Sequence, residues 1–212
     1  RGPLVAYTTE YDAPDGTKKR YVGDCYFNFA KVEERPRALD IFACHVADEL
    51  KQKVSVAPHM VIGAPMGGIF FAGALARKLR CLGGYAEKIP EWRGATKRIG
   101  FRLSLLRHAP SRGTRVVIVE DVCNTFATAT ALIKLIEERG AVVCAVVCAL
   151  NRSAMHEVQY KRKKIPVLSA IHIPAIRYRQ EDPEVRDDVR RGNIRWDPKN
   201  EWDRLIRVMH SF

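Results

Sequence analysis

The segment from Val116 to Thr128 carries the strongest chemical signal in the chain. A run of β-branched residues ends at Glu120 and Asp121, and the polar turn Asn124–Thr128 follows before a helical pattern begins. Paired carboxylates accept hydrogen bonds from sugar hydroxyls and attract divalent metal ions. Free backbone N–H groups at the start of a helix favour a phosphate. The spacing therefore indicates a site for a ribose 5-phosphate group, and the alternative is that the two carboxylates only cap the helix.

A second turn with this potential lies earlier in the chain, inside a strand-turn-helix unit. The residues predict a buried strand at Met60–Gly63, a glycine-rich turn at Ala64–Gly68 and an apolar helix over about Ile69–Leu79. Apolar side chains also recur every three or four residues over 35–57, which predicts an amphipathic helix before this unit.

The same order of elements repeats around the acidic pair. The sequence predicts a strand at Arg115–Val119, a turn at Glu120–Phe126, a helix at Ala127–Arg139 and an apolar strand at Ala141–Leu150. Strands that alternate with helices are typical of an α/β fold with a central, mainly parallel sheet flanked by helices. Because ligands bind such sheets beyond the carboxyl ends of the strands, we expect the chemistry at these two turns.

The strand, the acidic pair and the polar turn resemble the signature of the type I phosphoribosyltransferases, most closely that of the orotate phosphoribosyltransferase branch. Four further segments between about residues 20 and 152 resemble other family motifs, in the family's order: Tyr21–Phe29, Gly63–Ile69, Tyr85–Lys88 with Arg93–Gly94, and Ala149–Arg152. The acidic-pair signature is fairly specific to the family. The other segments support the resemblance only because they occur in the family's order.

This resemblance implies a fold and a reaction. The fold is one phosphoribosyltransferase-like domain over residues 1–212, with a core at about 36–165 and a small hood from about 1–35 and 166–212. The reaction transfers the 5-phosphoribosyl group of 5-phosphoribosyl 1-pyrophosphate to a nitrogenous base, with an orotate-like pyrimidine favoured, and releases pyrophosphate. Substrate-bound Mg²⁺ and a homodimer are implied as well.

The resemblance also implies roles for single residues. Glu120 and Asp121 would hold the ribose hydroxyls, directly or through substrate-bound Mg²⁺. Lys88 and Arg93 would belong to a mobile catalytic loop that reaches a neighbouring subunit, and Asp121 would be catalytic with them. Arg152 would face the base and pair with the carboxylate of orotate. Residues of the two turns would hold the donor's phosphates: Met66, Gly67 and Gly68 the pyrophosphate, and Asn124, Thr125, Phe126, Ala127 and Thr128 the 5-phosphate.

Phe126 is the largest departure from the family pattern, which usually has Gly at this position. Gly adopts a positive φ without strain, whereas a bulky residue does so at a cost. If the ring blocks the phosphate turn, Phe126→Gly should tighten donor binding. Asn124, Ala127, Asn151 and Arg93 also stand where the family usually has other residues. Two alternatives therefore stay open: a catalytically altered regulatory protein that binds the donor or a nucleotide, and a nucleotide hydrolase on the same frame.

The charge balance narrows the class of partner. The chain has 36 Lys and Arg against 24 Asp and Glu, a formal net charge of +12. This excess is typical of proteins that bind nucleic acid or a small, highly phosphorylated substrate. No recognition helix, zinc spacing or aromatic and basic sheet motif is visible, so nucleic acid is disfavoured. The basic segment Glu87–Arg102 predicts either a mobile lid or a solvated hairpin.

Cysteine usage and hydropathy bear on the compartment. The cysteines lie mostly in apolar segments without a CxxC pair, which favours buried, reduced thiols in a cytoplasmic protein. They are Cys25, Cys44, Cys81, Cys123, Cys144 and Cys148. The apolar stretch Ala141–Leu150 is about half of the roughly 20 residues that a membrane-spanning helix needs. The sequence therefore predicts no transmembrane helix.

Overall fold

The computed structural model describes the backbone of residues 2–93 and 98–209, and the side chains of these residues except 92–93, 98–99 and 208–209. Two compact units divide the chain. One combines Arg1–Asn28 with Ala175–Phe212, and the other is Phe29–Pro174. The single domain with a hood stays a prediction.

The unit built from the two chain ends contains a small sheet. Its elements are β1 (Leu4–Asp12), β2 (Lys18–Gly23), α5 (Arg186–Arg190), β11 (Ile194–Arg195) and α6 (Trp202–Met209). Strand β1 lies in the middle, antiparallel to β2 and parallel to β11. Leu4 and Val22 are fully buried beneath this sheet, together with Val185 and Ile194.

The central unit alternates strands and helices. Its first half contains α1 (Ala30–Glu33), α2 (Pro36–Lys53), β3 (Met60–Gly63), α3 (Gly68–Leu79), β4 (Leu82–Tyr85) and β5 (Glu87–Arg93). Its second half contains β6 (Arg98–Ser104), β7 (Arg115–Cys123), α4 (Ala127–Glu138), β8 (Val142–Asn151), β9 (Glu157–Tyr160) and β10 (Lys163–His172). The predicted strand at Met60–Gly63 and the predicted helices that follow the two turns are confirmed within one residue at each end.

Six strands of the central unit form one sheet in the order β4-β3-β7-β8-β10-β9. Every neighbouring pair from β4 to β10 is parallel, and β9 is antiparallel to β10 at the edge. This arrangement confirms the predicted α/β fold with a central, mainly parallel sheet. The order also places β3 beside β7, so the turns that follow these two strands are neighbours.

Helices cover both faces of the sheet because the strands are apolar on both. Val61 and Val117 face the layer that contains α2 and α3, whereas Ile62 and Ile118 face α4. All four side chains are fully buried. Helix α2 buries one stripe of residues three or four apart, as predicted: Leu39, Ala43, Val46, Ala47 and Leu50. The two layers fix β3 and β7, and with them both turns.

Strand β7 is longer than predicted. It continues past Val119 to Cys123, because Glu120 pairs with Cys148 of β8 and Cys123 pairs with Asn151. The prediction that the turn begins at Glu120 is therefore wrong. The acidic pair lies within the last residues of β7, and backbone pairing with β8 holds it in place.

The segment predicted as a lid or a hairpin contains two strands. Strands β5 and β6 pair antiparallel in an unbroken register from Glu87↔Ser104 to Arg93↔Arg98. The backbone on both sides of residues 94–97 therefore agrees with the predicted hairpin. Closure of this segment over a substrate stays a prediction. Strand β10 carries the central sheet to His172, beyond residue 165, where the hood was predicted to begin.

The six cysteines are free thiols. Cys123 and Cys148 are buried, but Cys44 is exposed and the other three are half-buried. The expectation that the cysteines are mostly buried is wrong, because the apolar segments that contain Cys44 and Cys144 turn these positions away from the core. Within the described ranges, none of the helices combines the length and the apolar character that crossing a membrane requires.

Candidate functional site

The two turns meet at the carboxyl ends of β3 and β7. A side chain at Gly67 would overlap the carboxylate of Asp121, and a side chain at Gly68 would overlap the backbone oxygen of Val119. That same oxygen accepts a hydrogen bond of 2.7 Å from the backbone N–H of Ala64. Glycine at both positions is therefore what allows the first turn to lie directly against the acidic pair. Met66, the third predicted residue of this turn, is exposed.

Glu120 is a carboxylic acid in a strongly desolvated position. Burial and the negative charge of Asp121 raise its pKa from 4.5 to about 7, against lowering effects of the Ala129 backbone N–H and of Lys88. Its Oε1 atom is buried, and no partner for it lies in the part of the chain that the structure describes. Burial also raises the pKa of Asp121, opposed by backbone N–H groups and by Lys88. These acceptors are poised for donors that a ligand would supply.

The contact between Glu120 and Ala129 bears on the helix-capping alternative. Ala129 is the third residue of α4, and its N–H is one of those that a helix leaves unpaired. This N–H lowers the pKa of Glu120, so the carboxylate does interact with the start of the helix. Its buried Oε1 has no partner among the described residues, so an interaction with the helix leaves this oxygen available to a ligand.

Phe126 adopts the positive φ that a glycine would favour at its position. Its φ is 57° and its side chain is 2% exposed, within the core under α4. The ring therefore points away from the turn, and the idea that it blocks the phosphate turn is wrong. Buried ring packing offsets the cost of the left-handed conformation. Of the neighbours predicted to bind the 5-phosphate, Asn124, Thr125 and Ala127 are exposed and Thr128 is half-buried.

Lys88 is exposed on β5, and its charge acts on the acidic pair of the same chain. It lowers the pKa values of both Glu120 and Asp121. The structure thus brings Lys88 towards the predicted sugar site without a partner subunit, and a role in a neighbouring subunit stays a prediction. The backbone of Arg93 ends β5, but its side chain lies outside the described residues.

Arg152 follows β8 and lies against the end of β7. Its backbone N–H donates to the Cys123 oxygen at 2.8 Å, and its side chain is buried. The preceding Asn151 shapes the loop: its amide donates to the Met155 oxygen at 2.8 Å and accepts from the N–H and hydroxyl of Ser153, each at 2.9 Å. An aspartate cannot donate the first of these bonds, which explains why Asn replaces the family's usual Asp.

Glu33 is a part-buried carboxylate on which Asp121 of the acidic pair acts electrostatically, and the sequence did not indicate it. It ends α1, and burial together with the charge of Asp121 raises its pKa. Its Oε1 is buried, and the described residues offer that atom no hydrogen-bond partner. The context Val32-Glu33-Glu34 is typical of an ordinary surface helix, so only tertiary packing reveals this third carboxylate. Across the described ranges, no group of three or more His, Cys, Asp or Glu is arranged to hold a metal ion by itself.

The raised pKa of Glu120 predicts a pH dependence of stability. Between pH 4.5 and about 7 the folded state binds more protons than the unfolded state, so the free energy of unfolding falls as the pH rises. We expect Glu120→Gln to flatten this decline relative to the wild-type protein. Urea unfolding at several pH values between about 5 and 8 measures the difference, and parallel profiles for the two proteins would contradict it.

The buried ring predicts the outcome of replacing Phe126. Truncating a buried phenylalanine costs about 3–5 kcal/mol, and relief of the left-handed conformation returns roughly 1–2 kcal/mol. Phe126→Gly should therefore lower the free energy of unfolding by about 1–4 kcal/mol in a denaturant titration. Phe126→Leu, which retains most of the apolar volume, is the control and should lose less. Equal or greater stability of Phe126→Gly would place the ring outside the core.

Comparison with protein families gives one match that covers most of the central unit. Residues 38–175 match the phosphoribosyl transferase domain. This segment includes both turns, the acidic pair and Arg152. It ends within one residue of the boundary between the two structural units, which follows Pro174.

Two similar curated relatives are orotate phosphoribosyltransferases. The enzyme of Caldanaerobacter subterraneus subsp. tengcongensis is 31% identical over 131 residues, which are 61% of this chain and 62% of the relative. That of Caldicellulosiruptor bescii is 30% identical over 130 residues, 60% of this chain and 61% of the relative. The chain thus spans about three fifths of the length of the curated relatives it matches.

A solved structure supports the fold at lower sequence identity. The crystal structure of orotate phosphoribosyltransferase from Aeropyrum pernix superposes with a TM-score of 0.53 and 21% identity. The superposition covers 79% of this chain and 87% of that one. This likeness extends the shared fold beyond the segment in which sequence similarity is detected.

Proposed function

Because the chain belongs to the phosphoribosyl transferase domain family, we propose that it transfers a 5-phosphoribosyl group from 5-phosphoribosyl 1-pyrophosphate to a nitrogenous base. An orotate-like pyrimidine is the favoured acceptor, since the two curated relatives described above, at 31% and 30% identity, are orotate phosphoribosyltransferases. The donor is strongly anionic, and a chain with a net charge of +12 suits it.

One observation carries the proposal: the glycine turn lies directly against the acidic pair. Gly67 leaves no room for a Cβ beside Asp121, so a ligand held by the backbone of this turn also reaches the carboxylates. Backbone N–H groups suit pyrophosphate, and carboxylates suit ribose hydroxyls. The donor carries these two groups on adjacent atoms of its sugar. The arrangement therefore fits the donor better than it fits a simple phosphate.

Each element of the site then has a task in the transfer. Glu120 and Asp121 hold the ribose hydroxyls, and Asn124–Thr128 hold the 5-phosphate at the start of α4. The bond from C1 to the pyrophosphate oxygen breaks with its electron pair on pyrophosphate. A ring nitrogen of the base forms the new bond to C1 and releases its proton. The protein positions both partners and keeps water away from the positive charge that develops at C1.

Magnesium fits this site through the substrate. Mg²⁺ takes carboxylate oxygens together with substrate oxygens as ligands. Glu120 and Asp121 supply two carboxylates, and Oε1 of Glu120 is buried with no partner among the described residues. When bound, the ion would neutralise charge on the pyrophosphate leaving group. Glu120 and Asp121 would hold it indirectly, through the sugar hydroxyls or water. The homodimer and the cytoplasmic location remain predictions of the family resemblance and of the cysteine pattern.

Lys88 is expected to act on the leaving group. Its charge acts on the acidic pair, so we expect the ammonium group to meet the pyrophosphate on C1 once the donor is bound. Lys88→Ala should lower kcat about 100-fold, because a preorganised cation is worth most in the transition state, with donor affinity changed far less. Lys78→Ala, on the exposed side of α3, is the control for loss of a positive charge. Equal kcat values for the two variants would remove Lys88 from the mechanism.

Pyrophosphate release measured with a panel of bases tests the function. Donor, Mg²⁺ and the protein are incubated with orotate, uracil or adenine, and released pyrophosphate is quantified. We expect release with orotate, with Arg152 pairing its carboxylate. Arg152→Lys should then weaken orotate binding, because lysine lacks the bidentate geometry. Tight donor binding without release for any base would contradict the proposal and favour a regulatory protein of the same fold.

A further inference from the structure

The loop that follows β8 is closed by its own hydrogen bonds. Asn151 spans it, with its side chain joined to the Met155 oxygen and to the N–H and hydroxyl of Ser153. The Ser153 hydroxyl also accepts from the backbone N–H of Met155 at 2.9 Å. Arg152 lies between Asn151 and Ser153, so these bonds hold the backbone on both sides of it.

His172 holds the same loop from the neighbouring strand. It is the last residue of β10 and pairs with Asn151, the last residue of β8. Its Nε2 atom lies 2.7 Å from the backbone oxygen of Ser153. A carbonyl oxygen only accepts hydrogen bonds, so Nε2 must carry the proton and donate it. This bond joins β10 to the residue that directly follows Arg152.

Further contacts keep the His172 ring in place. The His156 ring meets it edge-on, with centroids 4.7 Å apart. The His156 oxygen accepts from the N–H of Val167 at 2.9 Å, so the far end of the loop is attached to β10 as well. On the other side of His172, the Ile173 N–H donates to the Asn151 oxygen at 2.9 Å. The imidazole is thus held at a fixed place on the carboxyl edge of the sheet.

Arg152 is the residue whose orientation this loop controls. Its backbone N–H donates to the Cys123 oxygen at 2.8 Å, at the end of the strand that carries the acidic pair, and its side chain is buried. A guanidinium group pairs with a carboxylate through two N–H groups in a rigid fork, so the strength of the pair depends on orientation. A change in the backbone of the loop would turn this fork.

We propose that His172 is a positioning residue for the base: through its hydrogen bond to Ser153 it fixes the loop that carries Arg152, and it thereby sets the affinity for a base that bears a carboxylate. This inference rests on the proposed function, in which Arg152 pairs with the carboxylate of orotate. In this role His172 touches neither substrate. It acts on binding of the base and leaves binding of the donor to the glycine turn and the acidic pair.

Three single variants of the full chain test this role. His172→Ala removes the hydrogen-bond donor, and His172→Gln keeps a side-chain N–H that can reach the Ser153 oxygen. His45→Ala is the matched control, because His45 is an exposed histidine on α2. Initial rates of pyrophosphate release give kcat, the KM for orotate and the KM for the donor. Thermal unfolding gives the stability of each protein.

His172→Ala should raise the KM for orotate about threefold to tenfold, the effect of losing one hydrogen bond that orients a binding group. The kcat and the donor KM should change less than about twofold, because only binding of the base is affected. The unfolding midpoint should stay close to that of the wild type, since His172 is exposed. His172→Gln should recover most of the affinity for orotate, and His45→Ala should match the wild type.

A double variant shows whether His172 acts through Arg152. In Arg152→Lys the bidentate fork is already lost, so adding His172→Ala should raise the KM for orotate by less than about a further twofold. The same rise in both backgrounds would mean that His172 acts independently of Arg152, and it would overturn the inference.

The outcomes separate this inference from the function on which it rests. If the wild-type protein releases pyrophosphate with orotate but His172→Ala has an unchanged KM for orotate, the role of His172 is overturned and the function stands. Parallel losses in kcat, both KM values and the unfolding midpoint would assign His172 a structural role and overturn the inference as well. Absence of pyrophosphate release by the wild-type protein with any base overturns both.

Discussion

The double variant Glu120→Gln/Asp121→Asn should bind 5-phosphoribosyl 1-pyrophosphate in the presence of Mg²⁺ at least tenfold more weakly than the wild-type protein. Amides retain the shape of the two side chains but lose the charge that strengthens hydrogen bonds from hydroxyls and attracts the substrate-bound ion. Because both carboxylates are desolvated, with raised pKa values, the variant should fold at least as stably as the wild type. A loss of donor binding would then result from the loss of the two carboxylate charges and not from unfolding of the protein.

The control for this variant is another adjacent acidic pair. Asp48 and Glu49 lie on α2 and form ion pairs of 3.3 and 3.4 Å with Lys51 and Lys53. Asp48→Asn/Glu49→Gln makes the same change in net charge away from the site, so it measures the effect of overall charge on an anionic ligand. Equal donor affinity of the two double variants would remove Glu120 and Asp121 from the site. Titration calorimetry at fixed ionic strength provides both affinities.

Gly68→Ala should be the most destabilising single methyl addition in the first turn. Its Cβ would overlap the backbone oxygen of Val119, which cannot move without disturbing the pairing of β7 with β3. Overpacking of this kind typically costs about 1–3 kcal/mol. The displaced turn should also lose donor affinity, because Gly67 no longer lies against Asp121.

Gly73→Ala is the matched control for Gly68→Ala. Gly73 lies in the same helix, α3, and a Cβ there meets no atom within 4 Å. Because alanine is the better helix former, Gly73→Ala should stabilise the protein by about 0.5–1 kcal/mol. The two free energies of unfolding, from urea titrations, should therefore differ in sign relative to the wild type. Equal stabilities would mean that the first turn is not packed against β7.

The sequence predicts the elements that are determined by the local pattern of their own residues. Strand β3 and helices α3 and α4 follow from local patterns of apolar residues and glycine, and the structure has them where expected. Strand β4 was not predicted, because Leu82-Gly83-Gly84-Tyr85 has the composition of a loop. Glycine is needed there for a tertiary reason: a Cβ at Gly84 would overlap the side chains of Met60 and His108. A local sequence pattern does not specify contacts between segments that are distant in the chain.

The same distinction applies within the site. The acidic pair and the glycine turn are predictable, because their chemistry requires these residue types at fixed spacing. The burial of the Phe126 ring was not predictable, because it depends on how α4 packs on the sheet and not on the residues of the turn. Glu33 was not predictable at all. Asp121, whose charge raises the pKa of Glu33, lies far along the chain, as does Phe71, whose ring packs against Phe29.

Calorimetric titration of the protein with 5-phosphoribosyl 1-pyrophosphate tests the central claim most directly. The titration is run with and without Mg²⁺, and ribose 5-phosphate serves as the control ligand. If the glycine turn and the acidic pair form one donor site, the donor binds with micromolar affinity, requires Mg²⁺, and binds more tightly than ribose 5-phosphate, which lacks the pyrophosphate. A folded protein that takes up no donor, or that binds both ligands equally whether or not Mg²⁺ is present, would contradict the claim.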